Sequence, residues 1–266
     1  MAEHLPVGLP RQSPGLEPQP TGPAAEVAND AERVRTAYGR RQAGHRYDWD
    51  QPGQLFMMQE LERQLLRLLR RHRCLPLRER RILEVGCGHG HFLRELMKWG
   101  AEPANLVGLE LLESRLRQAR HRSSAAVRLL QGNAAAMEFP DGAFDIVLQM
   151  TMFTSILSDS VRRQVATEML RVVAPGGWIV WYDFRVNNPR NPDVRAVRAA
   201  EMRELFPGAT IHLETATLAP PLARTLAPRA RWLCSLLARV PLLRTHYLGF
   251  IRAPSPTRLR PGSQHA

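Results

Sequence analysis

Residues 81–91 read Arg-Ile-Leu-Glu-Val-Gly-Cys-Gly-His-Gly-His. An apolar, β-type run from Ile82 to Val85 drives into glycines at 86, 88 and 90, and a helical spacing of Phe92, Leu93, Leu96 and Met97 follows at once. Strand, glycine turn and helix together bring backbone N–H groups and a helix N-terminus against a small polar ligand. Gly86 and Gly88 supply positive φ or a close backbone approach that a side chain would obstruct. The spacing is Glu-x-Gly-x-Gly-x-Gly, with Glu84 inside the strand end. A carboxylate so near the cradle serves a pyrophosphate badly and a cationic ligand end well, since a buried carboxylate needs a positive partner or donors.

Twenty residues beyond Gly90, a second apolar run, 105–109, ends in Glu110. A carboxylate there can accept from both hydroxyls of a ribose at the mouth of a parallel sheet. The two stretches in this order, Leu-Glu-Val-Gly-Cys-Gly-x-Gly and Val-Gly-Leu-Glu, resemble the class I S-adenosylmethionine-dependent methyltransferases.

Downstream, strands at 127–131, 144–149 and 178–184 alternate with helices at 113–122 and 160–173, and Ala-Pro-Gly-Gly177 closes the latter helix. A helix over 194–206, a strand at 210–218, a helical segment at 227–240 and a strand at 245–251 complete the pattern. Regular β/α alternation is the doubly wound class. The resemblance implies a Rossmann-like α/β sheet of seven strands, mostly parallel with an antiparallel last strand, and a helical insertion before strand seven. The expected organisation is a disordered Pro-rich tail at 1–30, a lid and helix at 31–80, the methyltransferase domain at 81–252 with a helical cap at 219–243, and a disordered tail at 253–266.

The resemblance also implies S-adenosyl-L-methionine as cofactor and a set of residues for it. Glu84 and the turn of Gly86, Cys87, Gly88 and Gly90 surround the methionine portion. Glu110 holds the ribose, Leu111 packs on adenine, and Asn133 with Ala134 meets the adenine amino group. Gln149 and Met150 border the methyl. Cys87 between glycines reads more plainly as a packed structural residue, and Asn133 also reads as a turn cap. His89 and His91 have no third ligand spaced to join them, so no metal is expected.

For catalysis the candidates are Asp183, Tyr182 and His246, because a hydroxyl acceptor needs a base; His45 and Tyr47 in the loop before the core are further choices. Substrate contacts are expected from Tyr47, Trp49, Arg185, Asn187, Asn188 and Arg190. The flanking stretches 49–56, 148–156, 181–192, 217–224 and 241–249 resemble a bacterial group acting on glycans or secondary metabolites. That implies O-methylation of a small-molecule or glycan acceptor, with N- or C-methylation of a metabolite or lipid-like acceptor, or a silent binding subunit, as alternatives.

The net charge of +12 suggests nucleic acid. Against it, Lys98 is the single lysine among 37 basic residues, a bias of base composition, and most arginines alternate with acids along helices. No nucleic-acid partner is expected. After Glu214, however, no acidic residue occurs while eight arginines do. Within that zone, 227–240 places Trp232, Leu233, Leu236, Leu237 and Val240 on one side of a helix, which suits either a packed cap or peripheral contact with a membrane. No signal-peptide core or spanning run is present, and Cys74, Cys87 and Cys234 share no metal or redox spacing. The expected location is cytoplasmic, with possible membrane contact.

Overall fold

The computed structural model describes residues 22–40 and 49–254. Seven strands form one sheet in the order β3-β2-β1-β4-β5-β7-β6. They are β1 (Ile82–Val85), β2 (Leu106–Glu110), β3 (Arg128–Gln131), β4 (Phe144–Met150), β5 (Val173–Phe184), β6 (Thr210–Leu218) and β7 (Arg244–Arg252). β1, β2, β3, β4 and β5 pair in parallel, whereas β7 is antiparallel to both β5 and β6. Every residue of β1 and β2 is buried, which explains why these strands read as continuous apolar runs rather than alternating ones.

Among the described residues, eight α-helices accompany the sheet: α1 (Pro23–Arg40), α2 (Pro52–Arg71), α3 (His91–Lys98), α4 (Glu113–Arg122), α5 (Asp159–Val172), α6 (Ala199–Leu205), α7 (Pro220–Leu226) and α8 (Arg231–Leu237). The leucine face of α2, with Leu61, Leu65, Leu68 and Leu69, joins Phe92, Leu93 and Leu96 of α3 in one apolar cluster. Gly108 lets α3 come that close. A Cβ there would stand 2.8 Å from the Cys87 sulfur and from methyls of Leu93 and Leu129, so the approach requires glycine.

Three boundaries differ from the sequence reading. Residues 23–30, expected within a disordered tail, are the first turns of α1, which packs on α5 and buries Ala25, Asp30, Ala31 and Ala37. Pro23 opens that helix, where a missing N–H removes no helical bond. The helix expected at 194–206 is shortened to α6 because the Arg195 amide bonds Thr154 O and the Val197 amide bonds Phe184 O. The helix expected at 227–240 is shortened to α8, beyond Pro228, and a separate helix, α7, precedes it, since proline cannot sit in a helix interior.

One edge of the sheet gathers the ends that matter. β1, β2, β4 and β5 all finish there, and β6 ends and β7 begins there, with Leu218 opposite Arg244 and Phe184 opposite His246. The α7–α8 connection therefore sits on the same edge as the glycine turn.

Arg162 of α5 anchors that edge from within. Its fully buried guanidinium donates to the carbonyls of Ile156, Phe153 and Arg195 and pairs with Glu201 at 2.5 Å. An unpaired buried acceptor set is expensive, so Arg162→Met should lower unfolding free energy by about 3 kcal/mol; chemical denaturation of both proteins measures it.

Candidate active site

The glycine turn is built as its sequence requires. Gly86, Gly88 and Gly90 all have positive φ, at 72°, 55° and 71°. The amides of Gly86 and Cys87 donate to Leu109 O, tying the turn to β2. A Cβ on Gly86 would stand 2.9 Å from Met152 Cγ, so the cradle has no room for a side chain. Glu110 completes the frame: Oε2 accepts from the Gly88 amide at 2.8 Å and Oε1 from the Leu112 amide at 2.9 Å. Each oxygen keeps a lone pair for a ligand hydroxyl.

Glu84 behind the turn is almost fully buried, and its Oε2 has no partner. Burial pushes its pKa up to about 8, with the Leu93 amide opposing and the Glu110 charge adding to the rise. A buried carboxyl oxygen with no donor is best answered by a cationic or hydrogen-bond-donating partner.

Gly86 and Glu110 border an open cleft of about 790 Å³, a volume that includes open solvent at its mouth. Of the cofactor residues read from sequence, Gly86, Glu110, Leu111, Asn133 and Ala134 line it, as does Met150. Asn133 serves the turn as well, since its Oδ1 accepts from the Ala135 amide at 3.0 Å. Glu84, Cys87, Gly88, Gly90 and Gln149 stand outside the lining. Gln149 is buried and accepts from the Met152 amide at 3.0 Å, a contact that shapes the end of β4. The Cys87 thiol packs against Gly108, and burial raises its pKa well above the ordinary value. It is a structural cysteine.

The catalytic candidates are placed differently from the sequence expectation. Tyr182 is buried with its hydroxyl 2.7 Å from Thr217 Oγ1, and burial raises its pKa. His246 stacks on that ring at 4.7 Å, and burial holds its pKa down to about 3. Asp183 is fully buried and accepts from the Thr154 and Phe184 amides, with burial raising its pKa to about 6. None of the three lines the cleft. Asp183 instead fixes the turn Phe153–Ser155 under the cleft floor.

The acceptor contacts fare likewise. Asn187 Oδ1 accepts from the Ala196 amide and Asn188 Oδ1 from the Arg190 amide, so both serve their own exposed loop. Arg185 reaches Pro241 O at 3.4 Å, and Arg190 is exposed. Trp49 is 47% exposed with its ring 5.0 Å from His91. Tyr47 and His45 lie outside the described residues. The metal question also changes shape: Glu62 and Glu95 come together with His91, their ligand atoms within 4.8 Å of one another, while Lys98 holds Glu95 at 2.6 Å.

The wall that sequence reading missed is α1. Val27, Ala31, Val34 and Tyr38, spaced four, three and four apart, face the cleft together with Asp30. That spacing is a helix stripe legible in principle, but the prolines before it suggested disorder. Asp30 accepts from the Leu157 amide and from Arg33, and Tyr38 meets Ser155 Oγ at 3.0 Å. The Arg115 guanidinium lies 4.0 Å over the Tyr38 ring. Thr151, also in the lining, has φ 61°. A β-branched residue in that region is strained and is held by its surroundings, here by its amide on Tyr182 O at 2.7 Å.

Comparison with known proteins agrees with this geometry. A methyltransferase-domain family profile matches residues 82–177. A fatty-acid O-methyltransferase of Mycolicibacterium smegmatis is 36% identical over 107 residues, 40% of this chain and 38% of that protein. A demethylmenaquinone methyltransferase of Thermus thermophilus is 36% identical over 108 residues, 40% of this chain and 47% of that protein. The chain thus matches less than half the length of these curated relatives. In fold it resembles the crystal structure of an S-adenosylmethionine-dependent methyltransferase from Mesorhizobium loti, with TM-score 0.51 and 20% identity over 70% of this chain and 96% of that one. The unpartnered Glu84 oxygen, the Gly86 cradle and the Glu110 carboxylate fit a ligand with a cationic end and ribose hydroxyls. Residues 82–177 are thus similar to a methyltransferase domain, and the whole sheet shares its Rossmann-like fold with a solved S-adenosylmethionine-dependent methyltransferase.

Proposed function

We propose that this chain transfers a methyl group from S-adenosylmethionine to an oxygen of a small acceptor with a largely apolar body. The bound cofactor supplies a methyl on a sulfonium, which a nucleophile displaces in line; the enzyme contributes proximity and alignment. In this reading Glu110 accepts from the ribose hydroxyls, Asn133 meets the adenine edge, and Glu84 answers the cationic amino end. Thr151 and Met152 border the reacting end.

The observation that carries the acceptor class is the composition of the remaining cleft wall. Val27, Ala31 and Val34 of α1 face Met150, Met152 and Ile156 across it. Such a wall favours hydrocarbon over a polyhydroxylated ring, which needs many donors and acceptors. The loop residues once expected to hold a glycan, Asn187 and Asn188, use their carbonyl oxygens on loop amides. The mycobacterial relative named for a fatty acid supports the same class. The three cysteines are free and buried, which suits a cytoplasmic setting.

Three measurements test this. Incubation with deuterated-methyl cofactor and a bacterial extract should put label into the organic phase, in molecules whose fragmentation locates the methyl on oxygen; label confined to water-soluble glycans would reject the apolar acceptor. Glu110→Ala should weaken S-adenosylhomocysteine binding by about 1–3 kcal/mol, the loss expected for charge-assisted hydrogen bonds, as read by titration calorimetry.

The third concerns pH. With a folded pKa raised to about 8 from an ordinary 4.5, Glu84 stabilises the ligand-free fold most below the ordinary value and progressively less as pH rises through 8. Glu84→Gln should remove that decline, so its melting temperature gains on the parent as pH rises from acid to about 8. Its affinity for S-adenosylhomocysteine should fall about tenfold near pH 8. Parallel melting curves for the two proteins would contradict the assignment.

A further inference from the structure

The connection from β6 to β7, residues 219–243, carries four charged side chains, all arginine. It also carries four of the six exposed large apolar residues of the described chain. Trp232 is 71% exposed, Leu236 53%, Val240 42% and Leu242 85%. Trp232 and Leu236 are one helical turn apart on α8, and Leu242 follows in the short turn Pro241–Leu243. The opposite side of the same segment is satisfied: Ala223, Ala227, Cys234 and Ala238 pack with Phe56 and Met57 of α2. The apolar side chains that point outward are therefore surplus to the cap's own packing. Contiguous exposed apolar surface of this kind marks an interaction site.

Arg229, Arg231 and Arg239 are exposed around this patch. Arg231 donates to Gln59, and Arg229 and Arg239 have no ion pair among the described residues. A tryptophan and leucines flanked by arginines without carboxylate partners match the boundary of an anionic bilayer, where apolar side chains enter and guanidinium groups stay with the headgroups. Two copies of the face meeting symmetrically would oppose arginine to arginine, which disfavours self-association. The connection lies on the sheet edge that carries the cleft.

We propose that this face seats the enzyme on an anionic lipid surface, with Trp232, Leu236, Val240 and Leu242 inserted and the arginines on the headgroups. The inference deepens the apolar-acceptor reading, because an acceptor held in a bilayer would then be met at the edge where the cleft opens.

The test uses the full chain and needs no acceptor. Co-sedimentation with mixed phosphatidylglycerol–phosphatidylcholine vesicles should retain the protein, more weakly at high salt, and phosphatidylcholine alone should retain much less. Replacing Trp232→Ser together with Leu242→Ser keeps every arginine, yet should reduce vesicle binding about tenfold or more through lost apolar burial. S-adenosylhomocysteine affinity and melting temperature should not change. Absence of binding to anionic vesicles, equal binding by the variant, or a dimer that the double substitution dissolves would each overturn the proposal. Vesicle binding and cofactor titration are separate readouts, so failure of the membrane proposal is distinguishable from failure of the methyl-transfer reading.

Discussion

One carboxylate holds the working edge together. Glu110 takes hydrogen bonds from the Gly88 and Leu112 amides, so a single side chain at the end of β2 fastens the turn after β1 to the start of α4. Its position follows from parallel pairing, which sets Glu84 beside Gly108 and Val85 beside Leu109. The strand ends are thereby level, and the turn folds directly over the acid. Without that register the glycines would still bend, but nothing would fix where their N–H groups aim.

The same edge shows how buried polar groups are distributed between holding and binding. Asp183, Gln149 and Arg162 each place a hydrogen bond on backbone around Phe153–Ser155 and Met152. Glu84 differs, with an oxygen left unpartnered in the interior. Folded proteins seldom leave such an atom unanswered, and this one lies behind the glycine turn. The contrast separates residues whose polar atoms are engaged around the cleft from one with an oxygen left unpartnered.

How much of this was legible depended on how local the cause was. The glycine turn, the strand identities and Glu110 could be read because sequence-adjacent residues make them. Helix limits were lost where a distant partner decided them: the amides of Arg195 and Val197 leave the helix for Thr154 and Phe184. The catalytic candidates show the limit most clearly. Tyr182, Asp183 and His246 stand at the correct end of their strands, yet Thr217 and Thr154 capture the first two and the third stacks beneath Tyr182. Strand position places a residue on an edge but does not say which neighbour its side chain will find. The roof of α1 was hidden for a different reason. Proline density is a compositional signal of disorder, and it overrode the apolar stripe immediately after it.

The cleft draws its two sides from separate stretches of chain. One side comes from within 82–177, the segment matched by the family profile, and the other from α1, well upstream of it. Substitutions at Val27, Ala31 or Val34 could therefore reshape the chamber without touching Gly86 or Glu110. Such an arrangement lets heredity vary what is received while conserving what is given.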